Sequence, residues 1–260
     1  MEEVLLLQLK NPEIVAKTIE DWIENYFDTY SLKIGIIGLS GGIDSALVAT
    51  LASKALGPER VKAVLMPYTL EWRPQDVEDA ELIAKHLGLE WETFEIKNFA
   101  DPFEVLGLNE VERGNVIARC RMITLYALAN KYGGAVLGTG NKSELMIGYF
   151  TKYGDGGTDL LPIGDLYKTE VFQLAKFLKV PEKIIKRKPT AGLWKGQTDE
   201  DEIGMSYEVL DEILYNHIEL KKSKDDLVKM GFSVEHVEKV LHLIKISEHK
   251  RRTPPIPKIH

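Results

Sequence analysis

Residues 38–45 read Gly-Leu-Ser-Gly-Gly-Ile-Asp-Ser, set between the apolar run Leu32–Ile37 and the apolar run Ala46–Ala52. A buried strand, a turn of small residues and a helix in direct succession leave few folds open, because such units build parallel sheets covered by helices. Gly41 and Gly42 let the main chain bend where a Cβ would collide. Ser40, Asp44 and Ser45 place hydroxyls and a carboxylate at a helix start whose free N–H groups attract anions. The guest that fits is a pyrophosphate. Unlike G-x-x-x-x-G-K-[ST], this loop has no lysine and carries an acid, so it does not read as a loop for γ-phosphate transfer.

Further strands are expected at Val61–Met66, Trp91–Ile96 and Ala135–Leu137, beside Lys33–Gly38, with helical patterns at Ala46–Leu56, Gln75–Leu87 and Asn115–Tyr132 between them. That alternation predicts an α/β fold, a doubly wound parallel sheet flanked by helices. After Leu166 the pattern turns helical, at Lys168–Leu178, Pro181–Lys186, Tyr207–His217, Lys224–Lys229 and Val234–Ser247. The chain is therefore expected to form one unit over 1–260, with a nucleotide-binding sheet core at 31–165 and a mainly helical part at 166–260. Breakers and few apolar anchors predict a mobile loop over 188–204. Ahead of the sheet, Ile14–Tyr30 carries Ile19, Ile23 and Phe27 on one face and Trp22, Tyr26 and Tyr30 on another, more apolar surface than one core needs.

At 260 residues the chain can bury a core without staples, and its single cysteine, Cys120, excludes an intrachain disulfide framework and suits a reducing, cytoplasmic setting. The start Met1-Glu2-Glu3 is acidic and Val4–Leu7 is too short for a signal core. No apolar run approaches the ~18 residues of a membrane span, so no membrane partner is expected. A formal charge of −7 argues against a general nucleic-acid surface, which needs a basic face.

Two later stretches carry chemistry. Leu137-Gly138-Thr139-Gly140-Asn141-Lys142-Ser143-Glu144 is a second strand entering a helix through small residues, at the sheet end where open parallel sheets bind ligands. Glu144 can there join Asp44 on Mg²⁺, which takes one or two carboxylates together with phosphate oxygens. The polar, glycine-rich string Gly148-Tyr149-Phe150-Thr151-Lys152-Tyr153-Gly154-Asp155-Gly156-Gly157-Thr158-Asp159 suits no periodic element and reads as a binding loop.

The Ser-Gly-Gly-Ile-Asp-Ser loop resembles that of the ATP pyrophosphatases, which cleave ATP between the α- and β-phosphates. Taken with Gly-Asn-Val-Ile-Ala-Arg-Cys-Arg-Met, Gly-Thr-Gly-Asn-Lys-Ser-Glu, Phe-Thr-Lys-Tyr-Gly-Asp-Gly-Gly-Thr-Asp, Leu-Tyr-Lys-Thr, Lys-Pro-Thr-Ala-Gly-Leu and Glu-His-Lys-Arg-Arg, it resembles the ammonia-dependent NAD synthetase family, from about Lys33 through Pro255. Many relatives have Gln where Ile43 stands, a mild departure. The resemblance implies amidation of nicotinic acid adenine dinucleotide (deamido-NAD) by ammonia, with ATP as co-substrate and Mg²⁺ as cofactor, in a homodimer. It implies that Gly38, Leu39, Ser40, Gly41, Gly42, Ile43, Asp44 and Ser45 wrap the ATP phosphates, completed by Thr139, Lys168 and Thr190. Asp44 and Glu144 would hold the metal. Arg119, Lys152, Asp159, His249 and Lys250 would grip the dinucleotide, and Asp155 would stand beside the ammonia. Lys168 and Asp155 are the expected catalytic groups.

Cys120 invites a glutaminase reading, but it lies within a helical run and the chain has no second domain for glutamine hydrolysis. Another ATP pyrophosphatase, such as an adenylating synthetase subunit or a tRNA thiolase, is the enzyme alternative. A thiolase wants more cysteines or a basic RNA face. A non-catalytic ATP-binding regulator is the alternative from another class.

Overall fold

The strand that leads into the glycine loop is β1, Gly35–Gly38, and it lies inside a four-stranded parallel sheet of order β3-β2-β1-β4. β2 spans Val61–Leu65, β3 Glu90–Thr93 and β4 Ala135–Leu137. Gly35 aligns with Val61 on one side and Ala135 on the other, and Lys62 with Glu90. This computed structural model describes residues 7–71, 73–190, 192 and 198–259. Positions 191 and 193–197 of the expected mobile loop lie outside the described residues.

Alternation along β1 divides the core. Ile37 points to a layer with α1 (Pro12–Thr29), α2 (Ile43–Leu56) and α7 (Lys168–Phe177), where Phe27, Leu47, Val171 and Leu174 are buried. Ile36 points to the opposite layer, formed with α5 (Glu110–Tyr132), where Ile117, Leu128 and Val136 close the other face. Helices on both faces satisfy the expectation of a doubly wound sheet. α3 (Pro74–Leu87) flanks α2. A further cluster forms among α6 (Lys142–Ile147), α10 (Tyr207–Ile218), α11 (Lys224–Lys229) and α12 (Val234–Ile246). α8 (Glu182–Ile185) and α9 (Asp199–Ile203) are single turns either side of the loop near Thr190.

α1 buries Ile23 and Phe27 completely, each side chain stabilising the fold by about 1.5–3 kcal/mol. Among the described residues its second face is only partly covered: Tyr26 packs against the core, while Trp22 is 46% exposed and Tyr30 63%. Several expected bounds shift, and α2 starts at Ile43 rather than Ala46. β1 starts at Gly35 rather than Lys33. β3 ends at Thr93 rather than Ile96, because the chain then turns into α4 (Lys97–Ala100) and a 3-10 segment, Asp101–Leu106. α5 begins at Glu110, five residues before the expected Asn115. Its start is a capping box in which Glu112 N donates to Asn109 Oδ1 at 3.0 Å and Asn109 N to Glu112 Oε2 at 2.9 Å.

Gly41 has a φ of +78°, and a Cβ there would stand 2.6 Å from the Asp76 carbonyl oxygen and 3.0 Å from Asp79 Cβ on α3. Gly41→Ala is expected to cost at least the ~1–2 kcal/mol of a left-handed backbone, lowering Tm by roughly 2–8 °C. A thermal melt measures this, and an unchanged midpoint would contradict the packing described.

Candidate functional site

Strand order reverses direction at β1, whose neighbours β2 and β4 lie on opposite sides, so the turns after β1 and β4 open side by side. The first turn is held by its own serines. Ser40 N donates to Ser45 Oγ at 3.2 Å, Gly42 N to Ser40 Oγ at 3.2 Å, and Ser45 Oγ to Gly42 O at 3.0 Å. The second turn is shaped by a capping box at α6, in which Glu144 N donates to Asn141 Oδ1 at 3.0 Å and Asn141 N to Glu144 Oε2 at 3.2 Å. Asn141 also ties the turns together, its Nδ2 donating to Asp44 Oδ1 at 3.0 Å.

A cleft of about 600 Å³ opens over both turns. Its walls include Gly38, Leu39, Ser40, Gly42, Ile43, Asp44 and Ser45, with Gly41 turned into α3 instead. Thr139, Glu144, Lys168, Thr190, Asp155 and Lys250 line it as well. Lys168, the first residue of α7, is 1% exposed. Its Nζ donates to Asp44 Oδ2 at 2.6 Å and to Glu144 Oε1 at 3.4 Å. Burial alone would lower the Lys168 pKa, but Asp44 and then Glu144 more than offset it, and the ammonium stands above the usual lysine range.

One ammonium does not neutralise the acids around it. Asp199, 3% exposed, accepts from Tyr207 Oη at 3.1 Å and Tyr149 Oη at 3.2 Å, and Lys168 Nζ lies 5.2 Å from the centre of the Tyr207 ring. Glu144 is pushed up by burial first, against the pull of Lys168, with Asp44 adding to the rise. Asp199 is raised for the same leading reason. The close ionic pair is Lys168 with Asp44, and Glu144 is the surplus acid. An oxygen-only donor set with surplus negative charge fits a hard divalent cation. Among the described residues no group of three or more His, Cys, Asp or Glu side chains forms a cage, and Mg²⁺ needs only one or two carboxylates when phosphates supply the rest.

The glycine-rich loop forms the opposite wall. Thr151 N donates to Asp155 Oδ1 at 2.8 Å and Thr151 Oγ1 to Asn115 Oδ1 at 2.7 Å, which ties the loop to α5. Lys250 Nζ donates to the Gly148 and Phe150 carbonyls, both at 2.8 Å, and Arg251 Nη1 to the Leu145 and Met146 carbonyls at 3.0 and 2.7 Å. The basic ending thus closes the far end of α6 and the loop beyond it. Asp155 is open to the cleft but walled in around its carboxyl, and this burial raises its pKa against the pull of Thr151 N, Arg121 and Lys250. Burial lowers Lys250.

The remaining expected residues lie outside the cleft wall. Arg119 Nη2 donates to Lys152 O at 3.3 Å and Lys152 Nζ to His249 O at 2.8 Å, so these three meet at one rim next to Lys250. Asp159 sits apart, accepting from Val136 N at 2.8 Å and Tyr126 Oη at 3.1 Å at the sheet edge. Sequence reading missed Arg121, whose Nε donates to Met66 O at 3.0 Å while it lines the cleft. It also missed Asp199 and Arg187, the latter paired with Asp79 at 3.0 Å and with Asp76. Only the Arg-Cys-Arg spacing offered a signal, since the second arginine leaves the first one's helix face.

With this geometry in place, a family model described as NAD synthase matches residues 15–254. The chain belongs to the NAD synthase family. It is 54% identical over 223 residues to the NH(3)-dependent NAD(+) synthetase of Pyrococcus horikoshii, covering 84% of this chain and 86% of that one. The NH3-dependent NAD synthetase of Campylobacter jejuni, solved with a nitrate ion, superposes with a TM-score of 0.82 at 32% identity, covering 96% of this chain and 100% of that one. An NMN synthetase from Francisella tularensis superposes with a TM-score of 0.85 at 35% identity, covering 96% and 100%. Like its NAD synthase relatives, the chain is an enzyme of this class. No helix among the described residues is long and apolar enough to cross a membrane.

Behind the cleft, Asp211 of α10 is fully buried. It accepts from Thr169 N at 2.8 Å and from Ser143 Oγ, and burial pushes it up to about 6 against the pull of those donors. An acid whose folded pKa exceeds its unfolded one, near 4, loses stabilisation as pH rises through that interval. The stability of Asp211→Asn relative to the parent protein is therefore expected to increase between pH 4 and pH 7, by about 3 kcal/mol at most. Urea midpoints of both proteins across that range measure it, and a flat or falling difference would contradict the assignment.

Proposed function

We infer that the protein makes NAD by amidating deamido-NAD with ammonia, using ATP and releasing AMP and pyrophosphate through an acyl-adenylate. One observation carries this reading: a lysine-free Ser-Gly-Gly-Ile-Asp-Ser loop faces Lys168, Asp44 and Glu144 across one cleft, in a chain of the NAD synthase family. A carboxylate does not take ammonia directly, because hydroxide is a poor leaving group. The nicotinate carboxylate attacks the α-phosphorus of ATP and pyrophosphate departs; ammonia then attacks the acyl carbon and AMP leaves. The first step brings an anion onto a polyanion and needs positive potential. Lys168 and the start of α2, worth about half a unit charge, contribute to it against the surplus acid of Asp44 and Glu144. Asp44 and Glu144 are assigned to Mg²⁺, which when bound adds further positive charge at the phosphates.

Gly38 to Ser45, Thr139 and Thr190 are assigned to ATP. Arg119, Lys152, Asp159, His249 and Lys250 are assigned to the dinucleotide, with Asp159 the member set apart from the rim. Asp155 is assigned to holding ammonium and taking the proton it must lose before attack, a task helped by a carboxyl whose pKa stands above the ordinary range. The whole chain acts as one synthetase unit, sheet core 31–165 with helical part 166–260. The exposed Trp22 and Tyr30 face of α1 supports a homodimer, and the single cysteine supports a cytoplasmic setting.

A second acceptor, the mononucleotide acid, is favoured by the superposition on the F. tularensis NMN synthetase. Incubation with ATP, Mg²⁺, ammonium and either acid decides between them, and AMP is expected to form in step with NAD from the dinucleotide. ADP release, or turnover of the mononucleotide alone, would overturn the assignment. Glutamine free of ammonia is expected to give no product. Asp44→Asn is expected to cut turnover by about 10²–10³-fold, the loss typical of one preorganised electrostatic contact, in a protein that folds but melts at a lower temperature because buried Lys168 loses its nearest acid. Near-parental turnover at limiting Mg²⁺ would leave Asp44 as a helix-start acid alone.

A further inference from the structure

α7 places Lys168 in its first turn, and from its own sequence Glu170 Oε2 accepts from Tyr167 N at 2.9 Å, but no side chain of α7 accepts from the Lys168 or Thr169 N–H. Its N-cap residue is Tyr167, whose hydroxyl is turned away to Glu219 Oε1 at 3.2 Å. A lysine at a helix start also opposes the helix dipole. The first two N–H groups of α7 are nonetheless satisfied, and by other elements. Lys168 N donates to Ser143 Oγ at 2.8 Å, and Thr169 N donates to Asp211 Oδ2 at 2.8 Å. Ser143 in turn donates its hydroxyl proton to Asp211 Oδ1. Ser143 and Asp211 are both fully buried, so no water competes for these bonds.

Ser143 is adjacent to Glu144, and Thr169 to Lys168. A single carboxylate on α10 thus fastens the first turns of the two helices that present the cleft's surplus acid and its buried cation. The bonds from Thr169 N and Ser143 Oγ are charge-assisted at the acceptor, and charge-assisted bonds are about twice as strong as neutral ones. A negative charge at the N-terminus of α7 also offsets the unfavourable placement of Lys168 on that dipole.

We propose that Asp211 is a positioning residue for adenylation, fixing Lys168 and Glu144 relative to one another through Ser143 and the start of α7. This rests on the functional reading above. Asp211 does not line the cleft, so it acts on the reacting groups only through their helices. The distance between a cation and an acid that must both meet one triphosphate is sensitive: a displacement of about 1 Å remote from the chemistry costs on the order of 10²-fold in rate.

The test uses the full chain and three variants, Asp211→Asn, Ser143→Ala and the double variant. Asn has nearly the shape of Asp and keeps the acceptor for Thr169 N, so it preserves the fold while removing the charge. Three readouts are compared: acid-dependent exchange of pyrophosphate into ATP, Kd for ATP with Mg²⁺, and the melting curve. Asp211→Asn is expected to exchange about 10²-fold more slowly, with ATP affinity within about twofold of the parent. The double variant is expected to be no slower than the slower single one, because both changes break one relay. A residue with only a structural part would shift the melting curve and leave the exchange rate of the folded protein unchanged, and that result would overturn the proposal. Multiplicative losses in the double variant would also overturn it. Absence of acid-dependent exchange in the parent protein would instead remove the functional reading, and this proposal with it.

Discussion

A buried ammonium held between two carboxylates is the interaction on which the rest of the arrangement depends. Lys168 reaches Asp44 at 2.6 Å and Glu144 at 3.4 Å, and the three residues come from three separate strand-to-helix or loop-to-helix junctions. Removing one partner of a buried pair typically costs about 3–5 kcal/mol, because the other charge is left without compensation. The helix starts that carry these residues must therefore be held in a fixed relation to one another. The short order of β1 beside β4 gives two of them their proximity, and α10 supplies the third with its anchor.

The same constraint explains why Lys250 and Arg251 return to α6 and the loop after it. Lys250 and Arg251 donate to carbonyls at the C-terminus of α6 and in the loop beyond it, groups that no helix can satisfy for itself. α6 is only six residues long, too short to stand on its own hydrogen bonds. Its N-terminus is fixed by the Asn141 and Glu144 box and its C-terminus by the tail, so Glu144 is held from both ends. The cation-rich ending after α12 is mostly a clamp on a different helix, and Arg251 Nη2 also donates to the Ile244 carbonyl of α12 at 2.7 Å.

The parallel sheet and both cleft turns were legible in the sequence because strands and long helices carry a period, and the Gly41 turn carries a steric demand. The misplaced boundaries have local causes. Asn109 and Glu112 mark the true start of α5 at the spacing of a capping box, a signal that the apolar pattern from Asn115 onward outweighed. α4 and α9, at four and five residues, are too short to show any period. Of the candidate site, Asp44 and Glu144 were legible at the two turns, and Lys168 only through the family resemblance. Asp199 was not, since beside Asp201 and Glu202 it reads as one acid in a solvated run, and only the phenols of Tyr149 and Tyr207 distinguish it. Asp211 was invisible for a related reason. A lone aspartate inside an amphipathic helix has no neighbour in sequence that discloses the two distant N-termini it meets.

Charge is segregated across the cleft, and this bears on how two anionic substrates are accommodated in one space. Asp44, Glu144 and Asp199 crowd one end around a single lysine, whereas Arg121 and Lys250 stand at the other with Asp155 as their acid. Burial works against the charged form of both of these cations, and the Asp155 carboxylate works for it. A third group of charges, Arg73 and Arg187 with Asp76 and Asp79, closes the side next to Gly41. Paired cations lose less by desolvation than free ones, so they keep their charge in a narrow cleft and remain able to exchange a carboxylate for a phosphate oxygen at little net cost. An acid placed beside these cations thus holds them in the charged form, and an incoming phosphate or carboxylate meets cations whose present partner it can replace.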